Sequence, residues 1–115
     1  MVAFLVRYFT AINDHDYQAY VSLLDAQEAA LWTPARFAAG YGTTVDSAET
    51  LTGIADRSGG REAASVTFTS HQAPSASPDG SSCDLWSITL YLTPAHSGYV
   101  IEHPPPGYSA RVRAC

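Results

Sequence analysis

Apolar residues near the start of the chain recur at three- and four-residue steps, with Val2, Leu5, Val6, Phe9 and Ile12 on one stripe. That spacing predicts an amphipathic helix. Its phase is reset at Asn13-Asp14-His15-Asp16. Asn13 suits a C-terminal cap there, and Asp16 suits the N-cap of a second short helix carrying Tyr17, Tyr20, Val21 and Leu24. Asp25 to Trp32 reads as a continuation or an irregular connector. Thr33-Pro34 then supplies a cap and a first-turn proline for a helix through Arg36, Phe37 and Ala38 that should stop at Gly40.

From Tyr41 onward the period changes from 3.6 to 2. Gly42 to Asp56 is threonine-rich, with apolar residues at Val45, Leu51 and Ile54, and reads as a first strand closed by a Ser58-Gly59-Gly60 turn. Glu62 to His71 alternates cleanly: Ala64, Val66 and Phe68 point one way, Ser65, Thr67, Thr69 and His71 the other. After the Pro74–Ser82 loop, Cys83 to Thr93 places Trp86, Ile88, Leu90 and Leu92 opposite Leu85, Ser87, Thr89 and Tyr91. Tyr99 to His103 is a short fourth strand, ended by Pro104-Pro105-Pro106-Gly107 in extended geometry. Helices first and hairpin-linked strands afterwards predict an α+β domain, its helices packed on one face of a curved antiparallel sheet of about four strands.

With 115 residues, 46% of them hydrophobic and 15% charged, the chain should fold as a single domain spanning 1–115. The net charge of -5 and six scattered arginines leave no patch able to neutralise several phosphates, so no nucleic-acid partner is expected. The absence of lysine beside abundant alanine points to high-GC coding bias. No apolar run approaches the roughly 20 residues needed to cross a bilayer, and Met1 to Phe9 lacks a signal-peptide pattern. Because Met1 runs straight into a helix, the domain is expected to belong to a longer protein with its own anchor or leader. Cys83 opens a strand and Cys115 ends the chain. Paired, they would tie down a tail that otherwise frays and would imply an oxidising compartment. Two unrelated thiols are the alternative, and would fit a cytoplasmic protein.

Tyr8, Ala11, Ile12, Asn13 and Asp16 match an aromatic-x-x-Ala-hydrophobic-Asn-x-x-Asp pattern. Together with the order of elements, this resembles the nuclear transport factor 2-like superfamily, which includes ketosteroid isomerase and the SnoaL-like polyketide cyclases. The resemblance implies a conical pocket between sheet and helices, with Tyr8 in the place of a tyrosine that donates to a substrate oxyanion. It also implies a carboxylate base just after the second helix and a protonated acid in a later strand. Ala30-Leu31-Trp32-Thr33-Pro34 offers no acid, and Asp84 sits at a strand start beside the candidate disulfide, so the catalytic set reads as incomplete. The Cys83–Leu92 strand and terminal cysteine resemble extracytoplasmic members in lipoproteins and receptor ectodomains of high-GC bacteria.

Other chemistry is sparse. Asp14-His15-Asp16 suits caps and Asx-turns better than a metal site. Glu102-His103 would place one residue of the pair toward the pocket, as a general-base candidate, or would protect a sheet edge. No nucleophile elbow, phosphate loop or dinucleotide pattern occurs, and no cofactor or metal is expected. The leading expectation is a non-catalytic extracytoplasmic binding or interaction module. Its apolar pocket would be drawn from Tyr8, Trp32, Phe37, Tyr41, Trp86, Leu90 and Ile101, and would take an apolar small molecule or a protein partner. A cyclase, isomerase or epoxide hydrolase acting on a hydrophobic molecule through Tyr8 and Glu102 or His103 is the alternative. The second alternative is a dimerisation domain pairing through the outer sheet face at Thr67, Thr69, Thr89 and Tyr91.

Overall fold

The computed structural model describes residues 1–96 and 98–115. Helices α1 (Val2–Asn13), α2 (Tyr17–Val21), α3 (Ala26–Ala29) and α4 (Pro34–Tyr41) come first. Strands β1 (Val45–Asp56), β2 (Glu62–His71), β3 (Cys83–Ala95), β4 (Gly98–Ile101) and β5 (Arg111–Ala114) follow. They form one antiparallel sheet in the order β1-β2-β3-β4, with β5 also pairing with β3. The domain is therefore α+β, with the helices packed on the sheet, but the sheet has five strands instead of four. Arg111–Ala114 is too short and too charged to announce itself by alternation. It becomes a strand because Cys115 is bonded to Cys83 and the Cys115 N–H donates to the Cys83 carbonyl at 3.1 Å.

Side-chain caps account for the starts of α2, α3 and α4. Asp16 accepts from the Ala19 N–H at 3.0 Å, Asp25 from Glu28 at 2.8 Å and Thr33 from Arg36 at 3.1 Å. The buried stripe of α1 is Phe4, Leu5, Tyr8, Phe9, Ala11 and Ile12, whereas Val2 and Val6 are exposed. The stripe is thus rotated toward Phe4 and Tyr8, since aromatic rings cover more sheet than valines do. Asn13 is the last residue of α1, with Asp14 in the cap position. Its side chain reaches β1 instead, donating to the Asp46 carbonyl at 2.9 Å and accepting from the Asp46 N–H at 2.7 Å.

Curvature comes from β1. Its register against β2 slips between Ser47 and Thr50 and again between Leu51 and Gly53. Ala48, inside the first slip, has φ of 55°. Two bulges bend the strand over the helices and change which residues face inward. Thr44 and Asp46 are buried while Val45 and Ile54 are exposed. β2 and β3 keep the expected alternation, with Ala64, Val66, Leu90 and Leu92 in the core. Backbone bonds from Asp25 to Ile101 and from Ile101 to Leu23, both 2.8 Å, join the helical layer to β4.

Candidate functional site

Three sheet positions lie abreast on the face toward the helices. Asp46 on β1 pairs with Ser70 on β2, and Ser70 pairs with Asp84 on β3. Strands about 4.8 Å apart put the two aspartates roughly 10 Å from each other along this row. All three residues are buried, Asp84 completely. Above them lies a cavity of about 270 Å³, whose walls include Tyr8, Trp32, Tyr41, Phe68, Trp86 and Ile88.

The carboxylates are only partly satisfied. Asp84 Oδ2 accepts from Gln72 Nε2 at 2.9 Å and from Ser77 Oγ at 2.6 Å. The Ser77 hydroxyl also lies 2.5 Å from Asp79 Oδ1, and its single proton serves one carboxylate at a time. Gln72 is oriented by its other bonds, donating to the Ser81 carbonyl at 2.8 Å and accepting from Ser70 Oγ at 2.7 Å. Asp46 Oδ1, Asp84 Oδ1 and Trp32 Nε1 are buried with no hydrogen-bond partner in the protein, and all three residues line this one cavity. Such orphaned groups are rare in protein interiors, each costing about 1–3 kcal/mol.

Burial raises the Asp46 carboxyl from 3.8 to about 6, with Ser70 opposing the rise and Glu49 adding to it. Burial likewise pushes Tyr8 and Tyr20 well above the ordinary phenol value, and Tyr41 upward. These tyrosines belong to the aromatic cluster that builds the helical wall. Tyr20 packs on Tyr8, Trp32, Phe37 and Tyr41 with centroids 5.1–5.9 Å apart, and Trp32 stacks on Tyr41 at 5.7 Å. Tyr17 fixes Trp32 by donating to its carbonyl at 3.0 Å.

Tyr8, Trp32, Tyr41 and Trp86, of the residues expected in the pocket, line this cavity. Leu90 and Ile101 line an adjoining cleft that shares those four walls. Phe37 lies inside the aromatic cluster and is 3% exposed. Trp86 is half-buried and stacks on Phe68 at 6.4 Å. Glu102 is held in an ion pair, accepting from Arg57 at 2.6 Å and from Thr93 at 2.5 Å, which keeps its carboxyl below the usual range. His103 is exposed on the rim, 2.7 Å from Glu28. Thr67, Thr69, Thr89 and Tyr91 occupy the opposite, outer face, where Tyr91 is covered by Arg57 at 5.1 Å and Tyr108 at 5.6 Å. His15 points at the Thr44 carbonyl, 3.0 Å away.

Asp46 gives little sign of itself in the sequence: the resemblance points to an acid at 30–34, directly after the helices, and Gly42 to Asp56 reads as a strand by its apolar residues. An acidic residue one position from Val45 in a threonine-rich strand was the available signal. Asp84 was visible in the sequence but stood too close to Cys83 to suggest a pocket.

The disulfide between Cys83 and Cys115 is formed, consistent with an oxidising, extracytoplasmic location. No helix among the described residues is long and apolar enough to cross a membrane. The chain matches no protein-family model, no curated protein and no solved structure.

Proposed function

We propose that this domain is a small-molecule binding module of an extracytoplasmic protein, anchored to the membrane through other parts of the full-length polypeptide, and that it is a divergent nuclear transport factor 2-like fold. One observation carries the binding reading: an aromatic-walled cavity is left unfilled, and three residues around it, Trp32 between α3 and α4, Asp46 on β1 and Asp84 on β3, each keep a buried polar atom without a partner. A domain selected only for stability would fill that space with side chains or pair those groups. At about 270 Å³ the cavity is at the small end of ligand pockets, which span about 300–1,000 Å³. Its walls are aromatic but its floor is acidic, so the favoured ligand is amphipathic and not purely apolar.

Both tryptophans of the chain line the cavity, so their fluorescence reports directly on its occupancy. A panel of small ring compounds bearing neutral, cationic or anionic heads should include members that change this emission saturably. Ile88→Phe, which adds bulk to the cavity wall without touching a polar group, should abolish that response while the protein stays folded by circular dichroism. A flat response across the panel, or binding unchanged by Ile88→Phe, would remove the reading.

Acid-base catalysis is the second reading, favoured by Asp46, raised to about 6 and sharing the cavity with the Tyr8 hydroxyl. The carboxylate would accept a proton while the phenol donated to a developing oxyanion. Turnover of a ketone, epoxide or polyketide-like ester that falls about a hundredfold in Asp46→Asn, with binding retained, would make this the function. Unchanged substrate after prolonged incubation with binding compounds would leave the binding module.

A further inference from the structure

The arginines of the chain are not employed alike. Arg57 and Arg61 pair with Glu102 at 2.6 and 3.8 Å, and Arg36 lies over the Trp32 ring with Nη1 donating to the Leu31 carbonyl at 2.5 Å. Arg111 and Arg113 are exposed on β5 and stand in no ion pair among the described residues. Alternation along the strand turns both to one face, with Cα atoms about 7 Å apart. It is the outer face, away from the aromatic cavity. Arg111 stands opposite Ser87, which pairs with Thr67, and Arg113 stands opposite Leu85, which pairs with Thr69. All six line one open cleft of about 410 Å³.

Among the described residues, the outer positions of β2, β3 and β5 carry no Asp or Glu to balance this charge. Glu102 lies at the far end of the face, on Thr93, where Arg57 holds it. Two neighbouring guanidinium groups repel each other, and a bound anion removes that cost. Beside them the hydroxyls of Thr67, Thr69 and Ser87 make no side-chain hydrogen bond among the described residues, unlike those of Thr52, Ser70 and Thr93. Leu85 adds a half-buried apolar patch. A bare inorganic anion would use the arginines alone, and an aliphatic acid would cover the hydroxyls without bonding them. An acid that carries hydroxyl groups matches all three features. A second copy seated here about a two-fold axis would set arginines against arginines.

We propose that this cleft binds an acidic saccharide, with a carboxylate held between Arg111 and Arg113 and ring hydroxyls on Thr67, Thr69 and Ser87. The guanidinium fork suits a carboxylate, and Leu85 offers a surface to the C–H side of a sugar ring. The Cys83–Cys115 bond keeps β5 on the sheet, so the arginine pair is in place before the ligand arrives.

Three probes test this on the full, isotope-labelled chain in low salt, read by the chemical shifts of backbone amides and arginine side chains. Trigalacturonate carries acids and hydroxyls, maltotriose hydroxyls alone, and triglutamate acids without sugar hydroxyls. Trigalacturonate should shift Thr67, Thr69, Ser87, Arg111 and Arg113 saturably, binding at least about tenfold more tightly than maltotriose and about threefold more tightly than triglutamate. Arg111→Gln and Arg113→Gln, both at exposed positions, should each weaken it about tenfold, and Thr67→Val about threefold. Maltotriose or triglutamate binding as tightly as trigalacturonate overturns the acidic-saccharide assignment. Shifts confined to the inner cavity, or none with any probe, overturn the site. Shifts of this face with protein concentration alone would mean that a second copy occupies it, and overturn the proposal as well. Because cleft and cavity lie on opposite faces of the sheet, Ile88→Phe should leave the trigalacturonate shifts unchanged, and failure here leaves the cavity reading standing.

Discussion

Asp46 concentrates the tension between stability and function in one side chain. Its backbone is clamped by Asn13 through bonds of 2.7 and 2.9 Å, which fixes the point on β1 from which the carboxylate projects. The groups facing it are Ser70 on β2, Glu49 on its own strand, Tyr8 from α1 and Tyr41 from α4, with Asp84 across the row; none is positive. The carboxyl is raised in the folded state, so the folded protein binds this proton more tightly than the unfolded chain does. The stability it contributes is therefore fully present below pH 3.8 and is lost as pH rises through about 6. At about 1.36 kcal/mol per pH unit the loss amounts to about 3 kcal/mol at most. Denaturant unfolding between pH 4 and 7.5 should show the wild type losing stability relative to Asp46→Asn over that window. Parallel pH profiles of the two proteins would mean the carboxylate is solvated and the site is not as closed as described. The side-chain identities at this site were all legible in the sequence; their convergence was not. The Asn13 clamp spans 33 positions and the Asp46-Ser70-Asp84 row spans 38, and neither leaves a trace in local spacing.

Element by element, legibility followed regularity. The capped helices, the clean alternation of β2 and β3 and the loop between them follow from periodicity and caps that act within a few residues. β1 departs from simple alternation, since each bulge inserts a residue and turns the following side chains to the other face. Ala48 sits at the first of these with φ of 55°, a region that costs a residue with a Cβ roughly 1–2 kcal/mol. Glycine there would relieve the strain and surrender part of the gain to its more flexible unfolded state. Ala48→Gly should therefore raise stability by roughly 0.5–1 kcal/mol without altering ligand affinity, as measured by chemical denaturation and titration. A loss of stability would show that the bend is not held at Ala48. β5 was unreadable for a different reason: four residues with two outward arginines carry no pattern, and the strand exists through its partner and its covalent tie.

On the scale of the whole molecule, the disulfide and the cavity are one construction. β3 is flanked by β2 on one side, while its other edge is covered in succession by β5 at Asp84–Ser87 and β4 at Leu92–Ala95. Between these, Tyr108 bridges the gap, its hydroxyl accepting from the Thr89 N–H at 2.7 Å. Asp84 is completely buried because β5 closes the strand edge beside it and the Gln72–Ser77 segment closes the space above. β5 is too short to hold that position by itself. The Cys83–Cys115 bond, linking residues 32 apart, stabilises by roughly 3.5–4 kcal/mol in the chain-entropy treatment. Replacing both cysteines by serine should lower global stability by about that amount. It should also speed hydrogen exchange at Arg111–Ala114 and Cys83–Ser87 before it affects α1 or the β1–β2 pair. Should the serine variant show uniform exchange, the tail would be a passive staple, and the burial of Asp84 would have to come from β2 and the Gln72–Ser77 segment alone.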